Sequence, residues 1–274
     1  MVDEIVLKTT KSMLIFSNIE TLNYDPVEIW NGSKKIYTGT DREIEINLLD
    51  NTKDIIIKGS NIIKFNCYGC SLSYLNIDKS INLQELDCYS NVLSTLNVDK
   101  NLNLQYLNCG SNNILTLNLG NINLQELHCY NNKLTSINID KNIALQKFNC
   151  SGNYLSSIDI SKNIMLKIII CESNGLSTLK IDKNINLQNI YCKNNQLTNI
   201  NINNTINLQN LDCQNNQLTP NSTIQILKSI GKRKVNNGTC YLNNNNNNNI
   251  DFIQSKELAE ALSTAKANGW IVYY

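Results

Sequence analysis

A mostly β solenoid of stacked parallel coils, with a small β cap before it and an α/β cap after it, is the fold class this sequence predicts. Two regularities predict it. Cysteines recur at Cys67, Cys88, Cys109, Cys129, Cys150, Cys171, Cys192 and Cys213, spaced by twenty-one residues except for one interval of twenty between Cys109 and Cys129. Around each of them the same phrase returns, clearest in Leu83-Gln-Glu-Leu86-Asp-Cys88-Tyr-Ser-Asn91-Val-Leu93-Ser-Thr-Leu96-Asn-Val98. A fixed period of this length means one supersecondary unit per repeat, each completing its neighbour's core. The chain accordingly divides into a β-rich N-terminal capping module over 1–61, a solenoid of eight coils over 62–220 and an α/β C-terminal cap over 221–274.

Within a coil the apolar positions fall five and two residues before the cysteine, at the cysteine, and five, eight and ten residues after it. Leu86-x-Cys88 alternates with period two, which predicts a short strand with both side chains inward. Leu96-x-Val98 repeats the alternation on the other side of the coil. A unit of about twenty-one residues leaves little room for a helix there, so extended or turn-like backbone is expected. The asparagine three residues after the cysteine recurs as Asn91, Asn112, Asn132, Asn153, Asn174, Asn195 and Asn216, with Cys70 in that place in the first unit. An inward amide must be hydrogen-bonded, and a ladder of amides on backbone groups at the bend satisfies that demand. No proline lies between Pro26 and Pro220, as an uninterrupted parallel ladder requires. Phrases such as Asp99-Lys100-Asn101, Asp140-Lys141-Asn142 and Asp182-Lys183-Asn184 read as solvated turns.

The pattern L-x-x-L-x-C-x-x-N-x-L, with its filler Leu134-Thr-Ser-Ile137-Asn-Ile139-Asp-Lys-Asn142, resembles the bacterial and phage leucine-rich repeat proteins that carry a cysteine ladder, of the internalin-like type found in gut bacteria. The resemblance covers 62–220 strongly. It extends to the flanks through Val27-Glu-Ile-Trp30-Asn-Gly32 and Ala265-Lys-Ala-Asn-Gly-Trp270-Ile-Val. It implies a leucine-rich repeat solenoid with a recognition role.

Ten cysteines in a secreted chain would call for disulfides, but eight of these share one inward column. Parallel neighbours keep their Cβ atoms about 4.8 Å apart, whereas a disulfide needs about 3.8 Å. The column therefore reads as reduced thiols acting as small hydrophobes. Cys67-Tyr-Gly-Cys70 spells C-x-x-C without a second pair, and the repeat register accounts for both thiols, so no metal or cofactor is expected. With 24 basic and 23 acidic residues the formal charge is +1, which argues against nucleic acid; no apolar run is long enough to insert into a membrane. No signal peptide or wall-sorting motif is legible, which favours a cytoplasmic or virion location over secretion.

Alternating stretches at Glu4–Thr9, Met13–Phe16, Val27–Trp30, Lys35–Tyr37, Glu43–Leu48 and Asp54–Ile57 predict an antiparallel unit with Asn31-Gly32 as a hairpin turn, covering the open edge of the first coil. After the repeats, Ser222 is expected to N-cap a helix ending at Gly231, followed by a strand near Thr239–Leu242. Asn243–Asn249 is a polar run read as a loop. A helix over Lys256–Ala267, with Leu258, Ala261, Leu262 and Ala265 on one stripe, and a strand from Trp270 complete the cap.

Residues three and one before the cysteine and one after it must point outward and form columns on the strand face. Tyr68, Glu85, Asp87, Tyr89, Tyr106, Glu126, His128, Tyr130, Ile168, Ile170, Tyr191 and Lys193 are the candidate partner-binding residues there. Tyrosines interleaved with amides and carboxylates suit a protein or a glycan, because a rigid aromatic offers contact area at low entropic cost. An ordinary solvated face of good strand formers is the competing reading. Ile168 and Ile170 should stand exposed and form a contact patch with Tyr191. His128, the only histidine, has Asp87 two strands away, too far to share a ligand shell. No Ser/His/Asp set, phosphate-binding glycine loop or supported carboxylate pair is present, so the chain is not expected to be an enzyme. A non-enzymatic binding scaffold is the first expectation; a structural component of a homo-oligomer or larger particle, such as a phage virion, is the second.

Overall fold

A computed structural model describes residues 2–120, 123–232, 235, 237–242 and 255–274; the Asn243–Asn249 run lies outside the described residues. The chain forms two compact units, Met1–Leu145 and Gln146–Tyr274.

The first unit opens with β1 (Val2–Thr9), β2 (Met13–Phe16), β3 (Asn18–Thr21), β4 (Val27–Asn31), β5 (Lys34–Gly39), β6 (Ile44–Asn47) and β7 (Ile55–Ser60). Coils follow, with β8 (Ile62–Asn66), β9 (Leu72–Asn76), β10 (Glu85–Asp87), β11 (Thr95–Asn97), β12 (Tyr106–Asn108), β13 (Thr116–Asn118) and β14 (Glu126–His128). Strands β8, β10, β12 and β14 pair in parallel and in register on one side of the coils, and β11 pairs with β13 on the other. The hairpin expected at Asn31-Gly32 forms, with one difference. Asn31 ends β4 and is buried, while Gly32 takes the left-handed conformation (φ 60°). The Asn31 side chain accepts from the Leu49 and Asp50 N–H groups (3.0 and 2.9 Å) and donates to the Asp50 carbonyl (2.9 Å).

The N-terminal strands cover the start of the coils as expected, but partly through a strand the sequence did not reveal. Strand β3 pairs antiparallel with β8, and β1 pairs antiparallel with β9. Only Ile19 in β3 is an apolar strand former, too little alternation to be read as a strand. Phe16 meets Phe65 with ring centroids 5.6 Å apart, and the Cys70 thiol donates to the Ile15 carbonyl (3.4 Å). A first coil thus receives backbone partners and apolar cover that the following coils obtain from each other.

The second unit contains β15 (Lys147–Asn149), β16 (Ile168–Ile170), β17 (Asn189–Tyr191), β18 (Asn210–Asp212), α1 (Pro220–Ile230), β19 (Gly238–Tyr241), α2 (Lys256–Ala267) and β20 (Trp270–Tyr273). All six strands pair in parallel in that order. Thr219, not Ser222, caps α1, accepting from the Ser222 N–H (3.1 Å). Pro220 explains the shift, since a proline fits the first helical position, where its missing N–H costs nothing. Helix α2 buries the four residues of its predicted stripe and is capped by Ser255. Among the described residues no helix is long and apolar enough to cross a membrane.

Both units share the same interior chemistry. The cysteine, leucine and isoleucine columns are buried, and all ten cysteines are free thiols. Asn112 donates to the Cys88 and Cys109 carbonyls (3.0 and 3.1 Å) and accepts from the Leu93 N–H (3.0 Å). In the second unit Asn195 makes the same three bonds with Cys171, Cys192 and Leu176, each at 3.0 Å. The predicted amide ladder is therefore present. A second one is also present where solvated turns were expected. The Asp and Lys of Asp99-Lys100-Asn101 and Asp182-Lys183-Asn184 do face water, but Asn101 and Asn184 are fully buried. Asn101 donates to the Ile77 and Ser80 carbonyls (3.0 and 2.8 Å), and Asn184 to those of Ile160 and Asn163 (3.0 Å each). Each ladder ties one coil's bend to the next, which orients the strand face.

Candidate binding face of the repeats

The bend after each strand depends on the residue two after the cysteine, which is left-handed every time. Gly69, Ser90, Ser111 and Asn131 have φ of 66°, 57°, 50° and 50° in the first unit; Gly152, Ser173, Asn194 and Asn215 have 62°, 53°, 57° and 52° in the second. Only glycine and short polar residues occupy this column, because they tolerate the left-handed region. The turn it makes aims the preceding outward side chains along the strand face.

In the first unit three outward rows result. One carries Tyr68, Tyr89, Gly110 and Tyr130; the central one Asn66, Asp87, Asn108 and His128; the third Lys64, Glu85, Tyr106 and Glu126. The Tyr68 and Tyr89 rings lie 6.4 Å apart, inclined by 20°, and the Tyr89 and Tyr130 rings 5.8 Å apart, inclined by 36°. The second contact skips a coil and needs Gly110 beneath it: a β-carbon there would stand 2.7 Å from the Tyr130 ring. Tyr106 meets His128 at 5.7 Å between ring centres, and His128 Nε2 lies 3.3 Å from a Glu126 carboxylate oxygen. Lys64 pairs with Glu85 at 2.9 Å. Burial, followed by the charges of Asp87 and Glu126, pushes the Tyr106 phenol up; burial and the neighbouring Tyr89 do the same to Tyr130. Both rings are neutral hydrogen-bonding phenols near pH 7.

The second unit has outward rows of its own, one of Asn149, Ile170, Tyr191 and Asp212 and another of Lys147, Ile168, Asn189 and Asn210. Ile168 and Ile170 point outward, as the register demands, and Ile170 sits opposite Tyr191. They are half-buried, however, not exposed, since residues on both neighbouring strands flank each of them. Lys193 lies in the row that contains Glu172. Burial raises the Glu172 carboxyl above its usual range, and Asp212 adds to the effect; burial likewise raises Asp212.

Two face residues escaped the sequence reading. Strands β19 and β20 belong to the expected cap, yet they extend the parallel face and align Tyr241 and Tyr273 with Asp212. Their rings stack 4.5 Å apart and nearly parallel, at 4°. Aligning the cysteines hid them, because Cys240 pairs opposite Leu211 and not Cys213. The alternation in Trp270-Ile-Val-Tyr273 was the available signal. Among the described residues no group of three or more His, Cys, Asp or Glu side chains is placed to hold a metal.

Comparison with solved structures places this architecture. The functional domain of InlJ from Listeria monocytogenes, which includes a cysteine ladder, superposes with a TM-score of 0.51 and 24% identity over 66% of this chain and 49% of that one. The fold is a leucine-rich repeat solenoid with a cysteine ladder. Internalin C2 of Listeria monocytogenes matches with a TM-score of 0.48 and 16% identity over 63% of this chain and 80% of that one. A leucine-rich repeat protein of Leptospira interrogans gives 0.43 and 22%, over 58% and 56%. The chain spans about half the length of the InlJ domain. No family model matches it, and no curated protein does. The leucine-rich repeat architecture makes the strand face a sheet of fixed outward rows, with rings, amides and carboxylates held at set spacing.

Proposed function

We propose that this chain is a non-enzymatic binding scaffold whose strand face engages a protein partner. The observation that carries the proposal is the tyrosine ridge of the first unit. Tyr68, Tyr89 and Tyr130 touch ring to ring along one row, on coils whose bends are locked by buried amides. Rings held this way lose little entropy on binding, and tyrosine is among the residues most enriched at protein interfaces. The same ridge suits a saccharide, which would stack on the rings and bond to the interleaved amides.

A photo-crosslinking benzophenone side chain at position 106, on the face, or at position 92, exposed away from it, tests this reading in native extracts. Discrete protein adducts from position 106 that are absent from position 92, and lost in the Tyr89→Ala/Tyr130→Ala double variant, are the expected result. Equal adducts from both positions would refute the face as the binding surface. Glycan-array binding abolished by the double variant, with no protein adduct, would replace the protein by a saccharide.

A further inference from the structure

We infer that the first unit's strand face receives an arginine side chain from its protein partner, with Asp87 as the anion and Tyr89, Tyr106 and Tyr130 as the rings around it. The inference rests on this face being the binding surface and adds the chemistry of what it binds.

The charges on and beside the face point to Asp87. Glu20 has Arg42 at 3.7 Å, Glu85 has Lys64 at 2.9 Å, and Glu126 has His128 at 3.3 Å, a cation when protonated. Asp87 differs: among the described residues it has no cationic partner. One of its oxygens accepts from the Tyr89 N–H (3.0 Å) and the other from the Asn108 side-chain amide (3.3 Å). A carboxylate has about four acceptor positions, so roughly half remain available. The group is half-buried, in the middle of the central row, which reduces its screening by water.

The rings complete the site. Tyr89 follows Asp87 in the tyrosine row, Tyr130 leans across Gly110 to meet it, and Tyr106 stands in the opposite row on the next strand. Asp87 contributes to the upward shift of both the Tyr106 and the Tyr130 phenols, as a charge close to both would. The electron-rich faces of tyrosines attract the same ion that the carboxylate does. Among cations, a guanidinium is planar, stacks on aromatic rings, and offers two parallel N–H groups to a carboxylate; an ammonium is a strongly hydrated point charge that does neither.

Calorimetric titration of the full chain with hexaarginine, hexalysine and hexaglutamate tests the assignment. The chain carries a formal charge of only +1, so net charge does not draw cationic peptides to it. Hexaarginine should bind saturably and more tightly than hexalysine, and hexaglutamate should not bind. Asp87→Asn keeps an acceptor for the Tyr89 N–H, gives up the one for the Asn108 amide, and should weaken hexaarginine binding at least tenfold, with the circular dichroism of the folded chain unchanged. Glu172→Gln, in the second unit, should leave hexaarginine binding as it was. Equal affinity for hexaarginine in wild type and Asp87→Asn, or equal affinity for hexalysine, would overturn the assignment. If hexaarginine binding is insensitive to Asp87→Asn while face-specific crosslinks from position 106 persist, the arginine assignment falls and the protein-binding face stands. If it is lost in Asp87→Asn while crosslinks show no preference for the face, the cation site stands and the protein-binding face falls.

Discussion

Asparagine is the residue on which the coils depend, and it works in two places. Three residues after the cysteine, its amide donates to two cysteine carbonyls and accepts one backbone N–H, so one side chain satisfies three buried backbone groups. Neither aspartate, which cannot donate, nor leucine, which can do neither, would serve. Asn112→Ala should therefore cost about 3 kcal/mol or more, because removing a buried partner leaves groups unsatisfied at roughly 1–3 kcal/mol each. Urea unfolding measures the cost; a loss below about 1 kcal/mol would mean water replaces the amide. This ladder was legible because an inward polar residue at fixed spacing has few explanations. The ladder through Asn101 and Asn184 was not. Asp-Lys-Asn has the composition of a solvated turn, and only the backbone path shows that its third residue turns inward.

At the scale of the strand, side-chain identity and neighbours together decide what the face presents. Gly110 reads as an unremarkable gap in a row of tyrosines, yet it lets the Tyr130 ring reach across a coil to Tyr89. Ile168 and Ile170 read as exposed because alternation reports direction and not cover; flanking strands half-bury them. Glu172 and Asp212 show a cost of the parallel register: burial raises both carboxyls and the Tyr191 phenol, the Asp212 charge adds to the shift of Glu172, and both charges add to that of Tyr191. A carboxyl raised in the folded state stays protonated there when the unfolded chain has already released its proton. Stability therefore falls as pH rises from the ordinary carboxylate values of 3.8 and 4.5 through the higher folded values. Asp212→Asn keeps an acceptor for the Gln214 N–H (3.1 Å) and removes one of the two charges. It should raise the melting temperature at pH 7 and flatten the decline in stability above about pH 4. An unchanged pH profile of melting temperature would show that water solvates both carboxylates fully.

For the whole molecule, the thiols report the state of the fold. All ten cysteines are buried and free, and burial pushes the Cys129 and Cys171 thiols to about 12 and Cys70 to about 11. Thiolate, the reactive form, is therefore scarce at pH 8, and reagent access is blocked as well. Incubation of the folded protein with an aromatic disulfide reagent at pH 8 should release almost no chromophore. Labelling should rise together with the loss of the β signal in urea. Rapid stoichiometric labelling of the native protein would contradict the interior column.

The sequence by itself determined the period, the inward columns, the reduced state of the thiols, the two helices seen among the described residues of the C-terminal cap and the outward direction of every candidate face residue. All of these follow from two facts: a coil cannot bury its own core, and strand side chains alternate. The tertiary structure decided which rings touch, which acid of the first unit's face has no cationic partner among the described residues, that β3 pairs with the first coil, and that β19 and β20 add Tyr241 and Tyr273 to the face. Those features depend on distances between side chains far apart along the chain and on registers set by hydrogen bonds outside the repeat. Periodicity carries no information about either.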